Sequence, residues 1–365
     1  MFKEDHPLEK ISIGIVGVGS IGLAYASCAA NLGHAVKLWA PRGGADLLIQ
    51  QPLRSTGVVE CDHRIEVACD IREFIRSSSV IIIAVPANGH RLVMDAVLPH
   101  LRSGQDIVVS SMTSLSSLYL YEQARIRGIK VQVASLGTTA FTARRIAPAH
   151  VHAMTKRSSL GVSCIPQDDT ERLRDLCYRV FGSDFYADSS PLLTTLSNTN
   201  AVSHVPLALF NWTRIERAEM WPQYHYLTPQ VAEVIESADR ERIALARTLG
   251  WHLPSVQEKL SKSFSIGAKR LADVAVRLHE LRGGPAGPID VRTRYLSEDV
   301  PFGLVFNLAL SRLVDVEMPV TKTLVASASL ILGRDAVSEN DFIDLLGLAS
   351  ETLDGLVSRL KGGEA

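Results

Sequence analysis

Short, wholly apolar runs alternate with amphipathic segments in the first half of the chain. The apolar runs are ISIGIV (11–16), SVIIIAVP (79–86), DIVVSS (106–111), IKVQVAS (129–135) and SLGVSCI (159–165). Segments with helical spacing, such as GHRLVMDAVLPHL, separate them. Strands that are apolar on both faces, with helices between them, predict a parallel sheet that is covered by helices on both sides.

After about residue 190 the apolar positions follow a helical period alone. Thr228 before Pro229 is typical of a helix N-cap with proline in the first turn, and the helical pattern then continues to Gly250. The later segments with the same period are AKRLADVAVRLHELRGG, GLVFNLALSRLVD, VTKTLVASASLILG and ENDFIDLLGLASETLDGLVSRL. We therefore predict a doubly wound α/β domain over residues 1–188 and an all-helical domain over residues 189–365.

A glycine-rich hexapeptide, GVGSIG, follows the first apolar run. It opens a helical segment, LAYASCAANLG, and a second strand, AVKLW, comes next. In this context Gly17 permits a tight turn, Gly19 lets the backbone approach a pyrophosphate, and Gly22 lets helix and strand pack closely. The N–H groups at the start of the helix would meet the phosphate charge. The motif predicts a dinucleotide-binding domain of the Rossmann type.

The end of the second strand bears on which nicotinamide cofactor binds. NAD-binding units of this kind carry an acidic residue there for the ribose 2′-hydroxyl, but this chain reads LWAPRGG, with Arg42 in place of a carboxylate. A guanidinium can hold a 2′-phosphate through paired hydrogen bonds. We predict that NADP(H) is preferred and that NAD(H) remains possible; the alternative is that Arg42 is a solvated loop residue. The predicted cofactor-binding residues are Gly17, Gly19, Ser20, Ile21, Gly22, Arg42 and Pro86.

Composition narrows the classes of partner. Of 365 residues, 46% are hydrophobic and 21% are charged, and the net charge of −1 offers no footprint for nucleic acid or an anionic membrane. The five cysteines are odd in number and form no C-x-x-C pair, which argues against a disulfide framework or a metal site. No secretory segment or apolar run of ~20 residues is present. These features favour a cytoplasmic protein with neither a nucleic-acid nor a membrane partner.

The segment SNTNAVSHVPLALFN (197–211) places a histidine in an apolar stretch. If it is helical, Asn200 and His204 share one face at i, i+4 spacing, and Pro206 bends or breaks the helix. Histidine, with an unperturbed pKa of about 6.5, suits proton transfer near neutral pH. The alternative is a core histidine that only makes a hydrogen bond.

This segment and TRYLSEDVPFGLV (293–305) together resemble the opine dehydrogenase family, which includes octopine and nopaline dehydrogenases and the carboxyethyl-norvaline type of enzyme. The likeness extends to GVGSIG, LWAP, SSSVIIIAVPANGH and DRERIALARTLG with the PSV that follows it. The resemblance implies a reductive condensation, in which the amine of an L-amino acid attacks a 2-oxo acid, an imine forms, and NAD(P)H reduces it. Pyruvate and 2-oxoglutarate are both plausible oxo acids, and the amino acid stays open.

The resemblance also implies roles for particular residues. His204 matches the family's catalytic histidine, Asp299 its carboxylate partner, and Arg294 the arginine that holds a substrate carboxylate; we add Asn200 as a substrate-binding residue. Asp299 has an alternative role as N-cap of the helix that follows it. We expect Arg294 in the loop after GGPAGPIDV, and its alternative role is that of a surface arginine. The resemblance alone favours a homodimer.

Two other functions stay open. AVPANGH and the helical second half also resemble glycerol-3-phosphate dehydrogenases and ketopantoate reductases, which use a catalytic lysine. Residues 197–211 contain no lysine. The second alternative is a dinucleotide-binding redox sensor without turnover, but such a sensor has no need of a His–Asp pair.

Overall fold

The computed structural model of the chain describes residues 9–283 and 285–363. They form two compact units: one extends to Thr195 and takes in the chain again from Val357, and the other spans Leu196–Leu356. Arg359 anchors the returning chain within the first unit, because its guanidinium donates two hydrogen bonds of 2.8 Å to the Glu122 carboxylate. Nothing in the sequence pattern had indicated this return.

Strands are confined to the first unit, among the described residues. They are β1 Ser12–Val16, β2 Ala35–Trp39, β3 Leu53–Gly57, β4 Cys61–His63, β5 Glu66–Val67, β6 Val80–Ile83, β7 Asp106–Val109, β8 Gln132–Leu136, β9 Phe141–Ala147, β10 His150–Lys156, β11 Ser159–Ile165 and β12 Asp184–Ala187. The larger sheet has the order β12-β11-β8-β7-β6-β1-β2-β5, and the smaller one has the order β4-β3-β10-β9.

The helices of the first unit cover the larger sheet. They are α1 Ser20–Asn31, α2 Asp46–Gln50, α3 Ile71–Arg76, α4 His90–Val97, α5 Ser116–Ile126 and α6 Thr170–Phe181. The next helix, α7 Pro191–Ser197, includes the point at which the first unit gives way to the second.

The larger sheet is parallel except where β11 runs antiparallel to β8. The expectation of a wholly parallel sheet is therefore wrong at this pair. A parallel neighbour needs a crossover connection, usually a helix, whereas the chain passes from β8 to β11 through β9 and β10. Those two strands belong to the smaller sheet, which was not among the predicted elements. Its inward residues Phe141 and Val151 share a buried core with α1, where the Tyr25 ring meets Phe141 edge-on at 5.9 Å.

The second unit is built from helices, as the sequence predicts. They are α8 Asn200–Leu209, α9 Trp212–Glu216, α10 Pro229–Thr248, α11 Val256–Phe264, α12 Leu271–Arg282, α13 Arg294–Ser297, a π-helical turn Val300–Val305, α14 Phe306–Leu313, α15 Pro319–Leu332 and α16 Asp341–Leu345, with α17 Leu353–Leu360 ending outside the unit. Within the described residues, no helix combines the length and apolarity that a membrane crossing requires. The predicted fold class, a Rossmann-type sheet followed by helices, is confirmed.

A buried ion pair on α10 fixes the chain on either side of it. Asp239 and Arg242 are 2% and 1% exposed, and the Arg242 Nε donates to Asp239 Oδ1 at 2.7 Å. The guanidinium also donates to the carbonyls of Leu196 and Pro254, while Asp239 accepts from the N–H of Val256. Because a buried charge is stable only when such partners surround it, these contacts fix the end of α7 and the start of α11 relative to α10.

Candidate active site

The glycine turn lies at the carboxyl ends of the parallel strands. β1 has β2 on one side and β6 on the other, and doubly wound sheets bind ligands where the strand order reverses in this way. Gly17 has a φ of +113°, and a Cβ there would lie 2.7 Å from the Ala84 carbonyl oxygen. A Cβ at Gly22 would overlap the Gly17 carbonyl. Neither position therefore accepts a side chain.

Gly19 is different, because its surroundings are open. A Cβ at this position would meet no described atom within 4 Å, and the exposed residue precedes the twelve-residue helix α1 with extended backbone. The first N–H groups of a helix lack partners inside it, so a phosphate at this end would receive hydrogen bonds and a favourable dipole. The residues present thus fit a dinucleotide, whose pyrophosphate the N–H groups at this helix end would hold.

The other predicted cofactor residues lie around this turn. Ser20 begins α1, and Ile21 is partly buried against the core of the unit. Pro86 is exposed and precedes a short turn of 3₁₀-helix after β6. Arg42 is exposed in the turn after β2. The structure therefore brings all of them to the strand ends that meet at the glycine turn.

Arg145 on β9 is a residue of this site that the sequence reasoning missed. Its main-chain N–H donates to Ser20 Oγ at 3.0 Å, and its guanidinium donates to the carbonyls of Val18 at 3.1 Å and Gly44 at 3.3 Å. The side chain thus ties the glycine turn to the turn that carries Arg42. The alternating pattern of HVHAMTK in the neighbouring strand β10 was the available signal for this sheet.

Helix α8 carries the predicted histidine. It runs from Asn200 to Leu209 without interruption, so of the two predicted effects of Pro206, a bend or a break, the break is wrong. Pro206 removes one backbone donor, but Val205 and Leu207 beside it are buried, at 0% and 4% exposure. The packing of these side chains offsets the lost hydrogen bond.

His204 and Asp299 lie together. The distance between His204 Nδ1 and Asp299 Oδ2 is 2.8 Å, and the side chains are 18% and 12% exposed. Asp299 precedes the π-helical turn, but its side chain caps none of the described backbone N–H groups there. The carboxylate is therefore bound to the imidazole rather than to the helix end. With Nδ1–H donating to Asp299, Nε2 is the nitrogen left for proton exchange.

Tyr295 covers one face of the imidazole. The sequence analysis did not predict this residue, although it lies in the RYLSEDV segment. Its ring stacks on that of His204 with centroids 3.9 Å apart and planes 4° apart. The Tyr295 hydroxyl accepts a hydrogen bond of 2.8 Å from Gln223 Nε2, which also donates to the Ala286 carbonyl. Burial raises the pKa of the Tyr295 hydroxyl. The tyrosine is thus a neutral, anchored platform for the histidine.

Arg294 begins the short helix α13, so its predicted place in a loop is wrong. Thr293 supplies the reason, because its side chain caps that helix by accepting from the N–H of Tyr295. The Arg294 side chain is exposed and, within the described part of the chain, has no ion-pair partner. Arg292 differs, because its Nε and Nη2 atoms donate to the two carboxylate oxygens of Asp290 and hold the pKa of that carboxyl at about 2.

Asn200 is the first residue of α8 and is partly buried, one helical turn before His204. Its main-chain N–H donates a hydrogen bond of 2.8 Å to Asn198 Oδ1. The structure thus brings His204, Asp299 and Tyr295 into direct contact. Arg294 and Asn200 are their neighbours along the chain.

Comparison with known proteins finds a different family model in each part of the chain. The family model for the α-helical domain of NAD/NADP octopine/nopaline dehydrogenase matches residues 187–332. The model for the N-terminus of NAD-dependent glycerol-3-phosphate dehydrogenase matches residues 12–116 only. The likeness to glycerol-3-phosphate dehydrogenases is therefore found in the nucleotide-binding part, whereas the part that holds His204 matches the octopine and nopaline enzymes.

Relatives that align with most or all of the chain agree with these two matches. An opine dehydrogenase from an Arthrobacter strain is 27% identical, with 97% of this chain and 100% of that protein covered. A D-nopaline dehydrogenase from Agrobacterium tumefaciens is 24% identical, with 88% of this chain and 86% of that protein covered. A structure of octopine dehydrogenase with NADH and L-arginine shares the fold, with a TM-score of 0.77 at 16% identity and 98% and 99% coverage of the two chains. The chain is therefore similar to opine dehydrogenases along its length, and it is an NAD(P)-dependent oxidoreductase.

Proposed function

We propose that this enzyme joins an L-amino acid to a 2-oxo acid through an imine, which is then reduced to a secondary amine, and that His204 carries the proton transfers. The hydrogen bond of 2.8 Å between His204 Nδ1 and Asp299 Oδ2 is the observation that supports this proposal most directly. Related octopine dehydrogenases have been solved with NADH and L-arginine, agmatine or pyruvate. Those ligands support an amine and a small oxo acid as the classes of substrate.

Each step before reduction moves a proton. His204 Nε2 first takes a proton from the ammonium group of the amino acid, and the freed amine attacks the oxo acid to give a carbinolamine. The imidazolium then gives this proton to the carbinolamine hydroxyl, which leaves as water, and the protonated imine remains. Asp299 accepts the Nδ1–H hydrogen bond, which fixes the tautomer and stabilises the imidazolium. The nicotinamide cofactor, when bound at the glycine turn, supplies a hydride. Tyr295 keeps the imidazole plane fixed throughout.

The substrates bring carboxylates that need fixed cationic and polar partners. Arg294 is exposed and has no ion pair among the described residues, whereas the neighbouring Arg292 is neutralised by Asp290. A guanidinium in this condition is suited to a bidentate bond with a carboxylate. We assign Arg294 to a substrate carboxylate and the Asn200 amide to a further substrate hydrogen bond.

The choice of cofactor rests on Arg42. The turn that carries it has no acidic residue at the end of β2, and Gly43 and Gly44 adopt φ values of +73° and +87°. Such a turn leaves the guanidinium exposed to a 2′-phosphate, which favours NADP(H) over NAD(H). A homodimer in the cytoplasm completes the proposal; five free cysteines fit a reducing compartment.

The test is a spectrophotometric screen of NADPH oxidation. L-amino acids with cationic and with apolar side chains are each paired with pyruvate, 2-oxoglutarate and glyoxylate. Oxidation that requires both an amine and an oxo acid is the expected result. Oxidation with an oxo acid alone would instead support a ketopantoate reductase-like reaction. Binding of NADPH without turnover on any pair would support a redox sensor.

A further inference from the structure

The His204–Asp299 pair depends on how closely two elements of the helical unit approach each other. His204 is on α8, and Asp299 directly precedes the π-helical turn Val300–Val305. A hydrogen bond between side chains weakens steeply when the donor and the acceptor separate beyond about 3.5 Å. The observed 2.8 Å therefore requires the two backbones to be held at a fixed spacing.

Gly303 is the point at which that spacing is set. A Cβ built on Gly303 would lie 2.5 Å from the Cβ of Ala201, whereas unstrained carbon contacts are about 3.5–4.0 Å long. Gly303 is four residues after Asp299, and Ala201 is three residues before His204. Residues three or four apart lie on one side of a helical element, so this contact stands about one turn from the hydrogen bond on each element.

We infer that Gly303 is a positioning residue for catalysis, because its missing side chain lets the π-helical turn approach α8 at Ala201 closely enough for Asp299 to reach His204. An added methyl group at residue 303 would move the two backbones apart by about 1 Å to restore an ordinary contact. A shift of that size would take the carboxylate out of hydrogen-bonding range of Nδ1. The π-helical conformation of Val300–Val305 agrees with the occurrence of such turns at functional sites.

The inference rests on the proposed role of His204 and Asp299, and the test separates the two. Three variants are compared with the wild type: Gly303→Ala, Ala201→Gly, and the double variant that carries both changes. The double variant moves the methyl group from α8 to the π-helical turn, so the total volume at the contact is unchanged.

Proton NMR of the imidazole N–H groups reports on the hydrogen bond without reference to activity. The low-field Nδ1–H signal, assigned by its loss in His204→Gln, should be present in the wild type, in Ala201→Gly and in the double variant. It should be lost or shifted upfield in Gly303→Ala. A Gly303→Ala protein that keeps the wild-type signal would overturn the inference, whatever its activity.

We expect kcat to change across the variants in the same way as the NMR signal. We expect kcat of Gly303→Ala to fall at least about tenfold, at the lower end of what general acid–base groups contribute, with the Kd of NADPH unchanged. The double variant should recover kcat to within about threefold of Ala201→Gly. Failure of Ala201→Gly to rescue Gly303→Ala would also overturn the steric account.

If Gly303→Ala does not fold, folding and activity of the double variant supply the same comparison. If the NMR signals behave as expected while kcat does not change, the positioning stands and the proposed proton-transfer role fails.

Discussion

The glycine turn and the His204–Asp299 pair differ in how far apart their residues lie in the sequence. The turn is made of residues 17–22, which connect one strand to the next helix. His204 and Asp299 are 95 residues apart. Backbone rules for adjacent residues decide the first region, whereas tertiary packing decides the second. The proposed cofactor site is therefore encoded locally, and the proposed proton-transfer pair is not.

The largest expected effect comes from removing the proposed catalytic pair. We expect His204→Ala and Asp299→Ala each to lower kcat by about 10²–10⁴, the range of general acid–base catalysis, with the Kd of NADPH unchanged. The double variant should be little worse than the worse single one, because groups that act as a unit lose their effect together.

Stopped-flow turnover and cofactor titration measure the two quantities separately. The exposed His252 of the same unit supplies the matched control, and His252→Ala should keep wild-type turnover. A His204→Ala enzyme that retained more than about a tenth of kcat would fall outside the acid–base range and make His204 a core histidine.

The glycine turn is tested by two substitutions of the same size. Gly22→Ala would overlap the Gly17 carbonyl, and overpacking of this kind costs about 1–3 kcal/mol of unfolding free energy. Gly19→Ala meets only open space, so its unfolding free energy should change by no more than about 0.5 kcal/mol. Both variants should bind NADPH at least about tenfold more weakly, a loss of about 1.4 kcal/mol.

Denaturant unfolding and fluorescence titration distinguish these effects. The contrast lies in Gly19→Ala, which should lose binding but not stability. Equal losses of stability in the two variants would show that Gly19 is needed by the fold rather than by the cofactor.

The sequence was sufficient for features that depend on neighbouring residues. Gly17, Gly19 and Gly22 have the surroundings that their spacing predicts, and α10 begins at Pro229 as expected. Local reasoning could not decide between a bend and a break at Pro206, and the burial of the adjacent apolar side chains keeps α8 unbroken. It failed for the antiparallel strand β11, which follows from a route through the smaller sheet.

The contacts of the catalytic region lay beyond local reasoning. From the sequence alone, Asp299 could equally be a helix cap or the partner of His204. Only the resemblance to known enzymes favoured the second role. The stacking of Tyr295 and the close contact at Gly303 are tertiary facts. Neither has a periodic or compositional signal, because the partners come from a helix nearly one hundred residues earlier.

Arg294 tests whether the helical unit also binds a substrate carboxylate. We expect Arg294→Ala to raise KM for the oxo acid or the amino acid at least about tenfold, because a charged hydrogen bond contributes about 1.5–3 kcal/mol. The Kd of NADPH should stay the same. Steady-state kinetics at saturating cofactor measure the change.

Arg292→Ala is the matched control, since it removes an arginine two residues away that Asp290 already neutralises. It should leave KM within about twofold, as expected for an exposed ion pair. Equal effects of the two substitutions would mean that the general charge of the segment, and not a specific bond to Arg294, attracts the substrate.

Arg42 gives the smallest effect and tests whether the local encoding of the cofactor site extends to the choice of cofactor. The exposed guanidinium should interact with the 2′-phosphate of NADPH, a group that NADH lacks. We therefore expect Arg42→Ala to raise the Kd of NADPH by about tenfold at low salt, or about 1.4 kcal/mol, and to leave the Kd of NADH unchanged. The difference should shrink as salt is added, because exposed charges are screened. Arg54→Ala, which removes an exposed arginine from β3, should alter neither constant. Fluorescence titration of the wild type and both variants with each cofactor measures all six dissociation constants. An Arg42→Ala enzyme with the wild-type preference between NADPH and NADH would show that Arg42 is a solvated loop residue.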